Sequence, residues 1–322
     1  MCMTTLPLTT TLADVSRIAL GCMGLGGEWH AASYGEADRI QAQRCIEVAL
    51  EEGINFFDHA DIYRNGKAEL IFGEVLKSRP QLREQIYIQS KCGIRFADDH
   101  GPNRYDFSYQ HIIDSVDRSL QRLGCDYLDI LLLHRPDPLM EPEEVARAFD
   151  ALLSAGKVRY FGVSNMNHQQ IRFLQQYLDE PLVTNQIELN LAHRDFIETG
   201  VTVNDDQGRH AHFSEGTLEY CQRQNLQIQA WSPLAKGIFA QAPNNPTIAA
   251  AQERLTEYSQ QFDCAIETIL LAWLMRHPAG IQPVIGTTNE QRIRDCAKAV
   301  EIELSREQWY QLLTDIRGRN LP

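Results

Sequence analysis

Eight short apolar runs, most followed by a stretch of helical periodicity, constrain this chain more than any other feature. They are RIALGCM (17–23), INFFDHA (54–60), IYIQSKC (86–92), YLDILLLH (127–134), VRYFGVSN (158–165), VTNQIEL (183–189), LQIQAWS (226–232) and QPVIGTT (282–288). Such runs read as parallel strands covered on both faces. Helical patterns lie between them, as at 38–52, 67–77, 109–123, 143–155, 169–178 and 215–224. Eight βα repeats close a (β/α)8 TIM barrel, and 322 residues suit one such domain, 1–322, with additions. An open doubly wound sheet is the rival, but nothing divides the chain into two nucleotide-binding halves.

The additions are visible. Residues 6–16 carry two short β-like runs, read as an N-terminal β-hairpin plugging the barrel bottom. Residues 190–213 read as a long polar loop after strand six, with neither helical nor strand period. Helical patterns at 247–262 and 267–276 lengthen the seventh unit, and 306–317 is an extra C-terminal helix.

Composition narrows the class. The net charge of −13 argues against a nucleic-acid partner, which would need phosphates neutralised. The eight cysteines are scattered without a C-x-x-C pair, a poor disulfide framework and a poor zinc site that fits a reducing cytosol. Neither a signal-peptide pattern nor a spanning apolar run is present, so the expectation is a cytoplasmic protein without a membrane partner. Oligomeric state leaves no readable sign.

Four polar residues sit at or just past strand ends, where barrels place chemistry: Asp58 and Tyr63 in FFDHADIY, Lys91 in IYIQSKCG and His134 in LDILLLHRPD. A free phenol, with a pKa of roughly 10, is a poor acid–base group at neutral pH. A neighbouring ammonium, Lys91, is expected to lower that pKa, with Asp58 keeping the ammonium charged and His134 donating to the same substrate oxygen. Each residue alone has an ordinary explanation as a cap, packing or a solvated charge. All four at consecutive strand ends leave little room for that.

FFDHADIY, SKCG, LLLHRPD, GKVRYFGVSN, TNQIEL, AWSPLAKG and PVIGTT occur in the order and on the strands of the aldo-keto reductases, which the chain resembles from about residue 17 to 309. The resemblance implies that Asp58, Tyr63, Lys91 and His134 are catalytic, with Tyr63 the general acid. It also implies hydride transfer from a nicotinamide cofactor over the barrel mouth, reducing a small-molecule aldehyde or ketone.

The glycines at 21, 24, 26 and 27 do not form G-x-G-x-x-G, because Trp29 stands where the third glycine belongs, so a Rossmann reading fails. Barrels bind phosphates on the loops after strands seven and eight. Here these offer Ser232, Pro233, Leu234, Lys236 and Gly237, then Gly286, Thr287 and Thr288 followed by Arg292. Such donors suit a pyrophosphate and a 2′-phosphate, and Thr287 or Thr288 can also cap the next helix. By the resemblance, Ser164, Asn165 and Gln186 hold the nicotinamide carboxamide, Trp231 stacks on the ring, and Gly21, Met23 and Asp58 lie beside the cofactor. Two departures stand out: Gly286 replaces a common Lys or Arg, leaving Arg292 and Lys236 for the 2′-phosphate. Cys296 stands where many members carry an adenine-contacting Asn. NADPH is the expected cofactor, with NADH possible.

The substrate rim is expected from Trp29, Ile94, Phe96 and Tyr105, together with Tyr63 and His134 themselves. Arg135 could clamp a carboxylate, but pairing with Asp137 or Asp195 is the favoured reading. His193, His210 and His212 are not read as metal ligands. The rivals are a Schiff-base lyase with Lys91 as nucleophile, and a non-catalytic cofactor-binding regulatory subunit.

Overall fold

The structure, a computed structural model, describes residues 5–322. Eight parallel strands close a barrel: β1 (Ala19–Gly21), β2 (Phe56–Asp58), β3 (Tyr87–Cys92), β4 (Leu128–Leu133), β5 (Val158–Ser164), β6 (Thr184–Glu188), β7 (Gln227–Trp231) and β8 (Gln282–Ile285). Each strand pairs with its sequence neighbours, and β1 closes the ring on β8 with Ala19 opposite Val284. All six residues of β4 are buried, as expected of a strand covered by side chains within and helices without.

The described helices are α1 (Glu36–Glu51), α2 (Lys67–Ser78), α3 (Tyr109–Leu123), α4 (Pro142–Ser154), α5 (His168–Gln175), α6 (Asp195–Val201), α7 (Thr217–Arg223), α8 (Pro246–Gln261), α9 (Ile266–Met275), α10 (Glu290–Ala297) and α11 (Arg306–Arg317). One apolar core lies between strands and helices. A second fills the closed end of the barrel, where Phe56, Ile130, Leu132, Val183 and Val284 meet Leu6, Leu8, Leu12 and Val15. Helices α2 and α3 touch at Gly73, where a Cβ would stand 2.2 Å from the Arg122 carbonyl oxygen.

Residues 6–16 do plug that end, but not as a hairpin. Pro7–Thr10 is a 3₁₀ turn. Proline opens it without losing a needed donor, and the Thr9 and Thr10 hydroxyls bond back to the carbonyls of Leu6 and Pro7 at 2.7 and 2.9 Å. Gln227 Oε1 accepts the Leu8 N–H at 3.3 Å, so no partner strand is required. The 190–213 stretch likewise contains α6 and the 3₁₀ turn Asp206–His210 rather than structureless loop. Its order comes from packing, with Phe196 edge-on to Phe213 at 5.0 Å and Arg194 bonded to Glu198 at 2.9 Å.

Candidate active site

Three of the four strand-end residues form one hydrogen-bonded unit. Lys91 Nζ donates to Asp58 Oδ2 at 2.7 Å, to the His59 carbonyl at 2.8 Å and to the Tyr63 hydroxyl at 3.0 Å. All three ammonium hydrogens are therefore engaged. His134 stands across from Tyr63, ring centroids 6.0 Å apart and nearly perpendicular. Asp58, Tyr63 and His134 line a cavity of about 320 Å³ at the barrel mouth, together with Trp29, Ile62, Arg135, Trp231 and Val284.

The loop carrying Tyr63 is held by backbone anchors. Arg64 and Asn65 adopt left-handed φ values of 52° and 57°. Their side chains reach back to the β1–α1 loop, Arg64 Nε to the Met23 carbonyl at 3.0 Å and Asn65 Nδ2 to that of Trp29 at 3.2 Å. Buried Lys67 adds bonds to the carbonyls of Glu28, at 2.8 Å, and Ala31. The Tyr63 and Trp29 walls of the cavity are thus braced as one piece.

The electrostatics correct one expectation. Burial raises the Tyr63 phenol above its ordinary pKa, and the Lys91 ammonium pulls it down without overcoming that. Burial works against the Lys91 charge, yet Asp58 and Tyr63 together raise its pKa above the ordinary value. His134 is held well below the ordinary imidazole value by burial, then by Lys91 and Arg135. At neutral pH the site combines a protonated phenol, a charged ammonium and a neutral imidazole. It can donate a proton to an oxygen between Tyr63 and His134.

Beneath the mouth lies a polar layer that strand patterning did not single out. Gln89 Nε2 and Gln186 Nε2 both donate to Asp58 Oδ1, at 2.6 and 3.0 Å, and to Gln229 Oε1, at 2.9 and 3.1 Å. Gln229 Nε2 donates to Gln282 Oε1 at 2.9 Å, and Gln282 Nε2 to the Ser16 carbonyl at 2.7 Å. Four inward glutamines from β3, β6, β7 and β8 thus lie between the mouth and the apolar plug. A Gln within four apolar runs was the available signal.

A second cavity of about 500 Å³ shares Met23, Ser232 and Gly286 with the first. Pro233, Leu234, Lys236, Gly237, Thr287 and Arg292 line it. Ser232, Ala235, Lys236 and Gly237 all have positive φ, a tight run of a kind that forms anion-binding concavities. A Cβ on Gly286 would meet nothing within 4 Å, so the joint between the cavities is open. These donors fit an extended dinucleotide. Each cation also has an acidic neighbour: Lys236 lies 3.1 Å from Glu188, and Arg292 3.4 Å from Glu267.

Gly21, Ser164, Asn165 and Gln186 all line the first cavity, but their polar atoms are already engaged in part. Ser164 Oγ donates to the Gln186 carbonyl at 2.8 Å, and Asn165 joins Trp231 Nε1 at 3.0 Å to the His134 carbonyl at 3.2 Å. Gln186 directs its side-chain N–H groups inward, to Asp58 and Gln229. Neither Thr287 nor Thr288 caps α10; Asn289 does, accepting the Arg292 N–H at 3.0 Å.

Several expected positions fall elsewhere. Cys296 is fully buried on the core face of α10, with burial pushing its thiol up to about 12. It cannot meet an adenine. Thr288 is outside both cavity walls, its carbonyl taking the Cys45 thiol at 3.3 Å. Phe96 is exposed behind Trp29, 6.4 Å edge-on, and lines neither cavity. Ile94 pairs with Tyr105 in a two-stranded ribbon beyond β3, also away from both. Asp137 and Asp195 do not pair with Arg135: Asp137 accepts the N–H groups of Phe107 and Leu139, and Asp195 that of His212. Among the described residues, no group of three or more His, Cys, Asp or Glu could hold a metal, and no helix is long and apolar enough to cross a membrane.

Comparison with known proteins bears on the family of the chain. The chain is 39% identical over 313 residues to the uncharacterized oxidoreductase YcsN of Bacillus subtilis, covering 95% of this chain and 96% of that one. It is 38% identical over 312 residues to the 6-dehydroglucose reductase of Agrobacterium fabrum, covering 96% of each. A crystal structure of an aldo-keto reductase from Klebsiella pneumoniae in complex with NADPH superposes with a TM-score of 0.75 at 25% identity, covering 99% of this chain and 97% of that one. The Aldo/keto reductase family profile matches residues 17–314, and the barrel of parallel strands is that of its members, so the chain belongs to the aldo/keto reductase family, whose members use NAD(P)H.

Proposed function

We propose that the protein reduces small aldehydes or ketones to alcohols, using NADPH in preference to NADH. The observation that carries this reading is Lys91 Nζ bridging Asp58 and the Tyr63 hydroxyl in a cavity that His134 also faces. A bound nicotinamide cofactor supplies the hydride. Ser232, Lys236, Gly237, Thr287 and Arg292 would hold its phosphates, and Trp231 and Gln186 would line the space for its nicotinamide end.

Tyr63 gives its phenolic proton to the carbonyl oxygen. Its raised pKa keeps that proton in place across the neutral range. The ammonium 3.0 Å away stabilises the phenolate as the proton leaves. Asp58 keeps Lys91 charged and oriented, and neutral His134 donates its ring N–H to the same oxygen. Trp29, Ile62 and Val284 shield the reacting centre from water. The engaged, charged Lys91 does not favour a Schiff-base role, which needs a free neutral amine.

The test is spectrophotometric consumption of NADPH across a panel of aldehydes and ketones, with NADH run in parallel. Turnover of several carbonyls, faster with NADPH, is expected. Tight cofactor binding with no turnover of any carbonyl would leave a binding protein instead.

A further inference from the structure

We infer that the site selects carbonyl substrates bearing an anionic group, with Arg135 as the specificity-determining residue; this rests on the reductase reading above. Arg135 follows His134 directly and lines the same cavity as Tyr63. Because β4 ends at Leu133, both residues reach the mouth instead of pointing to opposite faces. Among the described residues no carboxylate forms an ion pair with Arg135, and the two partners expected from the sequence, Asp137 and Asp195, accept backbone N–H groups instead.

The remaining charges of the cavity cancel. Asp58 is neutralised by Lys91 at 2.7 Å, and His134 is neutral. The rest of the wall carries no charge: Trp29, Ile62 and Val284 are apolar, and Ser164, Asn165 and Ser232 are neutral polar groups. The guanidinium lies 5.7 Å from the Trp231 ring centroid. A guanidinium on an aromatic face keeps its in-plane donors free, and those donors match a carboxylate bidentately. The chain carries a net charge of −13, so attraction of an anion must be local, and this uncompensated cation provides it.

The test compares NADPH-dependent reduction of succinic semialdehyde with that of its methyl ester, which has a similar chain and no charge. Wild-type kcat/KM should favour the carboxylate by about tenfold or more, the scale of a charge-assisted contact. Arg135→Gln should bring the ratio near one, and Arg135→Lys should retain part of it. Added salt should raise KM for the carboxylate alone. An even wild-type ratio, or a preference surviving in Arg135→Gln, overturns anion selection while leaving the reductase reading intact. A loss of NADPH affinity in Arg135→Gln matching the loss of carboxylate preference overturns it too, by assigning the guanidinium to the cofactor. Turnover of neither aldehyde, with other carbonyls also inert, removes the reductase reading and this inference together.

Discussion

Glu267 holds its carboxylate 3.4 Å from the guanidinium of Arg292, and both line the outer cavity. Arg292 is the residue proposed for a 2′-phosphate, and in that role its acidic neighbour would compete with the anion. Glu267→Gln is expected to tighten NADPH binding several-fold and NADH little, whereas Arg292→Ala should weaken NADPH far more than NADH. Fluorescence titration with each cofactor checks both. Equal changes for the two cofactors would remove Arg292 from the 2′-phosphate.

Tyr63→Phe keeps the ring against His134 and deletes only the hydroxyl that Lys91 holds. Carbonyl reduction should fall by about 10²–10⁴-fold, the usual worth of a positioned acid. Cofactor affinity should stay close to wild type. Wild-type turnover rates in this variant would place the proton donor elsewhere.

Lys91→Met strands Asp58 as a buried charge, since among the described residues only the amides of Gln89 and Gln186 still reach it. Breaking one side of a buried pair costs about 3–5 kcal/mol. The double variant Asp58→Asn, Lys91→Met should recover much of that loss. Chemical denaturation of the four proteins measures the coupling, and additive losses would mean that the pair does not act as a unit.

Two buried groups beside the site give opposite pH signatures. Burial, then Glu69, raises Asp61 from 3.8 to about 7, and its Oδ1 has no hydrogen-bond partner. For this raised carboxyl the stability contribution is complete below pH 3.8 and disappears as pH rises through about 7. Asp61→Asn should therefore raise Tm at pH 8 relative to wild type and change little at pH 4. His59 is lowered from 6.5 to about 3 by burial, then Lys91, and both ring nitrogens are unpartnered beside Phe72. Its contribution is present above pH 6.5 and disappears as pH falls through about 3. His59→Met should gain most on wild type in acid. Thermal scans from pH 4 to 8 separate the two, and parallel curves for either variant would discount that group.

Strand ends were legible because Asp58 closes β2, Lys91 stands one residue before the end of β3 and His134 follows β4, each a polar group near the edge of an apolar run. What lay inside the barrel was not. Gln229 and Gln282 each sit between apolar neighbours and Gln89 between Ile88 and Ser90, and such a pattern alone does not say which face of a closed sheet is inward. Cys296 illustrates a signal passed over: Ile293, Cys296 and Ala297 recur at helical spacing, marking the core face of α10. Helix α6 left no such mark, being seven residues long, without a side-chain cap and with Gly200 inside it. Its existence depends on contacts distant in sequence. Arg135 failed for a different reason, because pairing depends on which carboxylates the backbone has already claimed.

The glutamine layer has a direction. Ser16 offers a carbonyl that can only accept, so Gln282 must turn its nitrogen towards it and its oxygen towards Gln229. Gln229 then has only its oxygen left for Gln89 and Gln186, and both must face it nitrogen-first. Their amide groups reach Asp58 with N–H bonds alone. A backbone acceptor at the sealed end of the barrel thereby dictates, amide by amide, that the carboxylate at the open end meets donors only, and flipping any one amide would set two oxygens face to face.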